Sequence, residues 1–315
     1  MKMKTKLKKA LYEYTSNSRI TTKELGKKIN ASQQSASYLI KSLKTKNIIQ
    51  NETVIIDAVK LGYINTLIGF NYIKLDNQSR KEIINELKNI NEVIAIEESK
   101  EGIDLLIEVS TKNLAAFHKI YIDLVSKFNK QLKTAFTFPI ITKYKYKKKY
   151  LKSQKKHSTK ILFGDKITKD LSKKETQVLQ ELVKNPTKRI IDISNKTKLI
   201  PKSIIRIKKE LEKKFIIKGY SAILDNQQLK IQREIIFLRF QNEGIKDLNN
   251  FLNYTKEHKN ITESIKVIGS SQLIIIVESL SEIDIIREIR SLFPVENYMI
   301  FKSEKIHKKT YIPLE

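Results

Sequence analysis

Residues 17–57 read NSRITTKELGKKINASQQSASYLIKSLKTKNIIQNETVIID, and the change of hydrophobic period within this stretch decides the fold. Thr21 or Thr22 is placed to cap a short helix that carries Leu25 and Ile29 on one face, because a hydroxyl there can accept an N–H that the first helical turn leaves unpaired. Ser32 is the cap of the next helix, in which Ala36, Leu39, Ile40 and Leu43 recur at the spacing of a single buried stripe. Residues 48–56 then alternate, as a strand or wing does. Upstream, residues 7–14 have a helical pattern. Three short helices followed by a strand predict a (winged) helix-turn-helix unit, whose last helix enters the major groove of DNA.

The chain repeats itself in one constant register, without a gap. Leu11, Glu13 and Asn17 map onto Leu179, Glu181 and Asn185; Leu43, Ile48 and Ile49 map onto Leu211, Ile216 and Ile217. Farther on, Asp57 and Leu61 map onto Asp225 and Leu229, and Leu105, Ile107 and Val109 onto Leu273, Ile275 and Val277. The second copy therefore predicts helices near 171–183, 190–196 and 201–214, with Pro201 in a first turn where its missing N–H costs nothing and Ile204, Ile207 and Leu211 as the buried stripe.

After each helix-turn-helix unit the period switches again. Strands are expected near 66–75, 92–98, 104–109 and 132–141, with helices near 80–89 and 114–128, the order βαββαβ. Pro139 cannot donate to a ladder, so its strand is expected at an edge. In the second copy, strands near 235–240, 261–267 and 273–277, helices near 246–256 and 281–292, and a last strand from Tyr298 repeat the order. Residues 273–277 are apolar throughout, which implies a strand covered on both faces, the sister unit supplying the second cover. The fold class is α+β: two tandem repeats, each a (winged) helix-turn-helix domain plus a ferredoxin-like βαββαβ domain. The expected units are residues 1–60 and 169–227 (DNA-binding), 61–146 and 228–315 (effector or dimerisation), and a basic linker or arm at 147–168.

Lys and Arg outnumber Asp and Glu by 61 to 34, a net charge of +27. A field of that sign gathers polyanions, nucleic acid first. Abundant Lys, Ile and Asn also follow from A/T-rich coding, so the placement of the charge says more than its total. Without cysteine, disulfides, thiolate zinc sites and cysteine nucleophiles are excluded. Apolar runs are too short to span a bilayer, and the lysine-rich start lacks the apolar core of a signal peptide, so a cytoplasmic protein with no membrane partner is expected.

The free face of the first recognition helix carries Gln33, Gln34, Ser37, Tyr38 and Lys41; that of the second carries Lys202, Ser203, Arg206, Lys209 and Lys213. Lys and Arg neutralise phosphates, and Gln and Arg can pair with adenine and guanine edges, so double-stranded DNA is the expected partner. An ordinary solvated helix face is the plainer alternative. No metal site and no cofactor are expected.

The order of helix-turn-helix, connecting strand and βαββαβ resembles the Lrp/AsnC (leucine-responsive, feast/famine) transcriptional regulators over nearly the whole chain, twice. Residues 17–57 carry the resemblance, together with residues 215–225, FIIKGYSAILD, which are close to the family's GVIKGYxAxxD junction. The resemblance implies operator binding by the first domain, and by the second dimerisation, further homo-oligomerisation and binding of an amino acid or similar small effector. The family's effector turn commonly reads Gly-x-x-Asp. Here the first copy has Asp104 with Gly102 beside the expected position, and the second keeps Gly269 but has Gln272 for the acid. The expected function is a sequence-specific transcriptional regulator, a fused pseudo-dimer and not an enzyme. Two alternatives stand beside it. One is an architectural DNA coater. The other is an enzyme resembling the siroheme decarboxylases, which share the build and use His and Arg at a tetrapyrrole pocket; this chain offers only His118, His157, His258 and His307, without metal-ligand spacing.

Overall fold

The stripe on residues 33–45 buries as its spacing requires. The computed structural model, which describes residues 3–73, 76–152, 160–161, 164, 168–241 and 245–313, forms α1 (Thr5–Ser16), α2 (Thr22–Lys28) and α3 (Gln33–Thr45). Thr21 Oγ1 accepts the Glu24 N–H at 3.2 Å, and Ser32 Oγ accepts that of Ser35 at 3.1 Å. Ala36 and Leu43 join Leu11, Leu25 and Ile29 in one core. A Cβ on Gly26 would lie 2.7 Å from the Ala31 carbonyl oxygen, so the tight turn between α2 and α3 depends on glycine there.

The second head follows the same plan with α6 (Lys173–Lys184), α7 (Ile190–Thr197) and α8 (Pro201–Lys213), opened by a capping box between Ser172 and Glu175. Each head ends in a strand, β1 (Ile49–Ile56) and β7 (Ile217–Leu224), and the two pair antiparallel with Val54 opposite Tyr220. The pairing exchanges core residues. Val54 and Ile56 of the first copy pack with Leu179, Ile204 and Leu211 of the second, while Ala222 and Leu224 of the second pack with Leu11 and Leu43 of the first.

The remaining elements of the first copy are β2 (Ile64–Tyr72), α4 (Asn77–Asn89), β3 (Val93–Glu101), β4 (Leu105–Thr111), α5 (Leu114–Lys127) and β5 (Leu132–Lys145). Those of the second are β8 (Gln232–Phe240), α9 (Ile245–Glu257), β9 (Ile261–Val267), β10 (Leu273–Ser279), α10 (Ile285–Leu292) and β11 (Val295–Lys309). Both are βαββαβ units. Many paired elements, among them α3 and α8, β1 and β7, and β2 and β8, begin and end in the same register that sets Leu11 on Leu179.

The last strand of each unit is long enough to serve both. β5 pairs first with β2 of its own copy, Phe138 opposite Leu67, then with β9 of the other copy, Lys143 opposite Ile265. β11 does the same with β8 and then β3. All strands of the large sheet except β6 (Lys160–Ile161) therefore close into a ring, β2-β4-β3-β11-β8-β10-β9-β5 and back to β2. This corrects the expected edge position for the strand of Pro139: β5 has neighbours on both sides. Pro139 lies where the strand changes partner, opposite Thr66, and its carbonyl accepts the Ile268 N–H at 3.0 Å. The expected cover from the sister unit is present, with edges joined as well as faces opposed. Ile274 and Ile276 point into the shared interior with Leu67, Phe138 and Phe237, while Leu273, Ile275 and Val277 meet the helix layer, which accounts for the unbroken apolar run.

The expected basic linker at 147–168 needs correction at its start. Tyr150 and Leu151 are built into the core of the first head, as Tyr146, just before it, is into that of the second βαββαβ unit. Lys149 is 2% exposed, its ammonium donating to the Lys256 carbonyl. Buried aromatic area outweighs the lysine repulsion because the cations find partners: Lys148 meets Glu278, and Lys152 lies 3.0 Å from Glu13. Residues 153–159, 162–163 and 165–167 of that segment lie outside the described residues. No helix among the described residues is long and apolar enough to cross a membrane.

Candidate nucleic-acid interface

Helices α3 and α8 each bury one stripe and leave the other side open. Gln33, Gln34, Ser37, Tyr38 and Lys41 are all exposed on α3, Tyr38 to 76%. On α8, Lys202, Arg206, Lys209 and Lys213 are exposed and Ser203 is half-buried. Ile204, Ile207 and Leu211 anchor α8 from behind. At corresponding places Gln34 stands for Lys202, Tyr38 for Arg206 and Lys41 for Lys209, so the two heads offer different chemistry on one scaffold. One residue on this face is not singled out by the periodicity: Ile205 is 44% exposed. Its signal in the sequence is that it falls outside the stripe of Ile204, Ile207 and Leu211.

Between the heads runs an open groove of about 950 Å³, lined in part by Arg19, Lys28, Lys147, Lys208, Lys218 and Tyr220 and by the acids Glu13 and Glu212, which pair with Lys28 at 3.1 Å and Lys208 at 2.7 Å. Phe215 lies on its wall, 61% exposed and left-handed at φ 55. Arg19 ties the heads together here, donating to the Pro186 carbonyl at 2.6 Å with its guanidinium 5.3 Å from the Tyr220 ring centre.

Where the heads meet the barrel, a smaller cavity of about 60 Å³ is lined by Lys145, Lys148, Arg233, Glu263, Glu278 and Lys309, among others. These charges satisfy one another. Burial alone would raise the Glu278 carboxyl, but Lys148, Arg233 and a hydrogen bond from Tyr150 hold it down to about 2. Glu263 is pulled low against its burial by Lys309 and Lys145. Because every one of these groups has an opposite charge beside it, the cluster serves to tie the layers together.

Of the residues of the expected effector turn, Asp104 and Gln272 occupy equivalent structural positions. Asp104 accepts the Tyr72 N–H at 2.8 Å, and Gln272 accepts the Phe240 N–H at 2.7 Å; Tyr72 and Phe240 are themselves counterparts in the repeat. An acid and an amide thus do one job, closing the end of β2 and of β8. Gly102 stands at φ 91, where a Cβ would lie 2.5 Å from the Ile300 carbonyl oxygen, and a Cβ on Gly269 would strike the Phe138 ring.

The histidines are scattered. His118 is exposed on α5, His157 lies outside the described residues, and His258 is packed against Tyr254 with burial lowering its pKa. His307 contacts Glu98, which also accepts from Arg80 at 2.6 Å and from Tyr72 at 2.9 Å. Among the described residues, no group of three or more His, Asp or Glu could hold a metal ion.

Heads, swapped strands and closed ring together define an α+β protein of the helix-turn-helix plus ferredoxin-like type, twice over in one chain. No family model matches the sequence, and no curated protein does. Solved structures do match. The siroheme decarboxylase NirDL is similar over 98% of this chain and 94% of that one, at 13% identity and a TM-score of 0.59. The same enzyme in complex with an iron-uroporphyrin III analogue gives the same coverage and identity and a TM-score of 0.58. AsnC of E. coli is similar over 45% of this chain and 93% of its own, at 17% identity and a TM-score of 0.37. The full-length likeness establishes the shared fold. It also corrects one expectation, that of a protein that is not an enzyme: NirDL, which shares the entire architecture, is one.

Proposed function

We propose that the chain binds double-stranded DNA through α3 and α8, as a tandem-duplicated regulator of Lrp/AsnC type fused into a pseudo-dimer, with DNA-binding heads at residues 1–60 and 169–227. The observation that carries this reading is the open face of both third helices: Gln34, Tyr38 and Lys41 on one and Lys202, Arg206 and Lys209 on the other are all exposed, while the opposite stripes hold the heads' cores. Helices so presented place side chains against base edges and phosphates. The faces differ, so the site they suit is asymmetric, with two unlike half-sites. Selection of duplexes from a random pool, followed by footprinting, tests this. Two unequal protected segments are expected, with Arg206→Ala relaxing preference at one base position and Lys209→Ala weakening all duplexes about equally. Protection that neither substitution alters would overturn it.

A second reading is favoured by the full-length likeness to a siroheme decarboxylase. The inter-head groove of about 950 Å³ lies within the size range of small-molecule sites, and its cations beside Phe215 and Tyr220 suit a flat substrate bearing several carboxylates. In that role Lys28 and Lys218 would exchange their present partners, Glu13 and Asp57, for substrate carboxylates, Arg19 would assist, and Phe215 would cover the ring. Titration with siroheme separates the readings: a shifted Soret band with loss of carbon dioxide supports the enzyme, and an unchanged spectrum removes it.

A further inference from the structure

Isoleucine stands at three exposed positions of the second head where the first head has polar residues. Ile191, Ile200 and Ile205 are 57, 65 and 44% exposed; their counterparts in the first head are Lys23, Ser32 and Ser37. A lone exposed apolar side chain is ordinary on a protein surface. Ile205 is different because of its company. It lies on the free face of α8 between Lys202, Arg206 and Lys209, all exposed, so any partner that covers it must also accept three cations at once. A hydrophobic protein surface would leave those cations desolvated and unpaired, at a cost that one isoleucine cannot offset. The major groove of duplex DNA meets both demands: phosphates line its edges, and the C5-methyl of thymine is its one apolar feature.

We infer that Ile205 is a specificity residue that reads thymine methyl groups, which makes the half-site under the second head thymine-containing while the first head, with Ser37 at the same place, lacks this preference. The inference rests on the DNA-binding reading proposed above. The flanking Lys202 and Lys209 fix the helix on the phosphates, and Arg206 and Ile205 face the bases. Covering one methyl group corresponds to about threefold to fivefold in affinity.

The test uses the full chain and the duplex recovered by selection, with thymines in each footprinted half replaced in turn by deoxyuridine, which lacks only the methyl group. Replacement under the second head is expected to weaken binding by about threefold to fivefold per contacted methyl, and replacement under the first head to leave it unchanged. Ile205→Ser, which installs the first head's residue at a surface position, is expected to bind the thymine and deoxyuridine duplexes equally, its fold checked by an unchanged melting temperature. Equal affinity of the unsubstituted chain for both duplexes, with binding retained, would overturn the role of Ile205 and leave the DNA reading standing. A loss of self-association in Ile205→Ser, without any change in thymine sensitivity, would overturn it in favour of a protein contact. Failure to bind any duplex would remove both.

Discussion

Arg233 and Glu97, 136 residues apart in sequence, are joined by two hydrogen bonds, Nε to Oε1 at 2.7 Å and NH2 to Oε2 at 3.2 Å. The same guanidinium donates through NH1 to Glu278 at 2.8 Å, so one side chain of the second repeat holds a carboxylate from each repeat. Arg233 is 5% exposed, and its two partners are also buried. Replacing it with methionine leaves Glu97 buried without its cation and takes from Glu278 one of two, Lys148 remaining, a loss expected to cost about 3–5 kcal/mol. The midpoint of urea unfolding checks this; a shift no larger than that of a surface substitution would show that the seam is held elsewhere.

Acid should loosen the first repeat through Glu98. Burial would raise this carboxyl, but hydrogen bonds from His307, Arg80 and Tyr72 hold it at about 2. A folded value below the unfolded one, about 4.3, means that its stabilising contribution is complete above that value and is lost as pH falls towards 2. The melting temperature should therefore drop across that window. Glu98→Gln should melt lower near neutral pH and lose less on acidification.

Tyr150 pins the segment between the repeats. Its hydroxyl donates to Glu278 at 2.7 Å, and its ring is part of the first head's core. Tyr150→Phe removes only the hydrogen bond to a charged acceptor, about 1.5–3 kcal/mol. Tyr150→Ala adds loss of the ring and should reach about 3–5 kcal/mol. Equal melting temperatures for the two variants would show that the ring contributes nothing.

Two glycines separate strain from collision. Gly62 is left-handed at φ 75 with nothing within 4 Å of the point a Cβ would occupy, whereas at Gly102 the same atom would meet the Ile300 carbonyl oxygen at 2.5 Å. Gly62→Ala should cost about 1 kcal/mol of backbone strain, and Gly102→Ala more than that, because the main chain of β11 must also shift. Thermal unfolding of the pair decides the order.

Much of this fold is legible in the residues themselves. Ser32 and the stripe from Ala36 to Leu43 place α3 correctly, and the unbroken run from Leu273 to Val277 announces a strand covered on both faces. Pro139 misleads because a missing donor marks an edge only when a strand keeps one set of neighbours, and β5 changes partner at that residue. The basic run after Tyr146 misleads because two of its lysines, Lys152 and Lys148, are matched by Glu13 and Glu278, acids 139 and 130 residues away, pairings that no local pattern carries. Ile205 escapes notice in the sequence for a related reason: its meaning lies in which cations surround it on the folded helix. The chemistry of the free faces of α3 and α8 is visible from Gln34, Tyr38, Lys202 and Arg206, but the inter-head groove is not, since Arg19 and Lys208 come to line it together only through the pairing of β1 with β7.

The most direct measurement is the salt dependence of duplex binding by the full chain beside its Lys202→Ala, Arg206→Ala, Lys209→Ala triple variant, followed by fluorescence anisotropy. Log affinity should fall linearly with log salt for the unsubstituted chain, and the slope should become shallower by about one unit for each phosphate contact that the variant loses. The same slope and the same affinity for both proteins, or no binding by either, would contradict the assignment of α8 to the DNA.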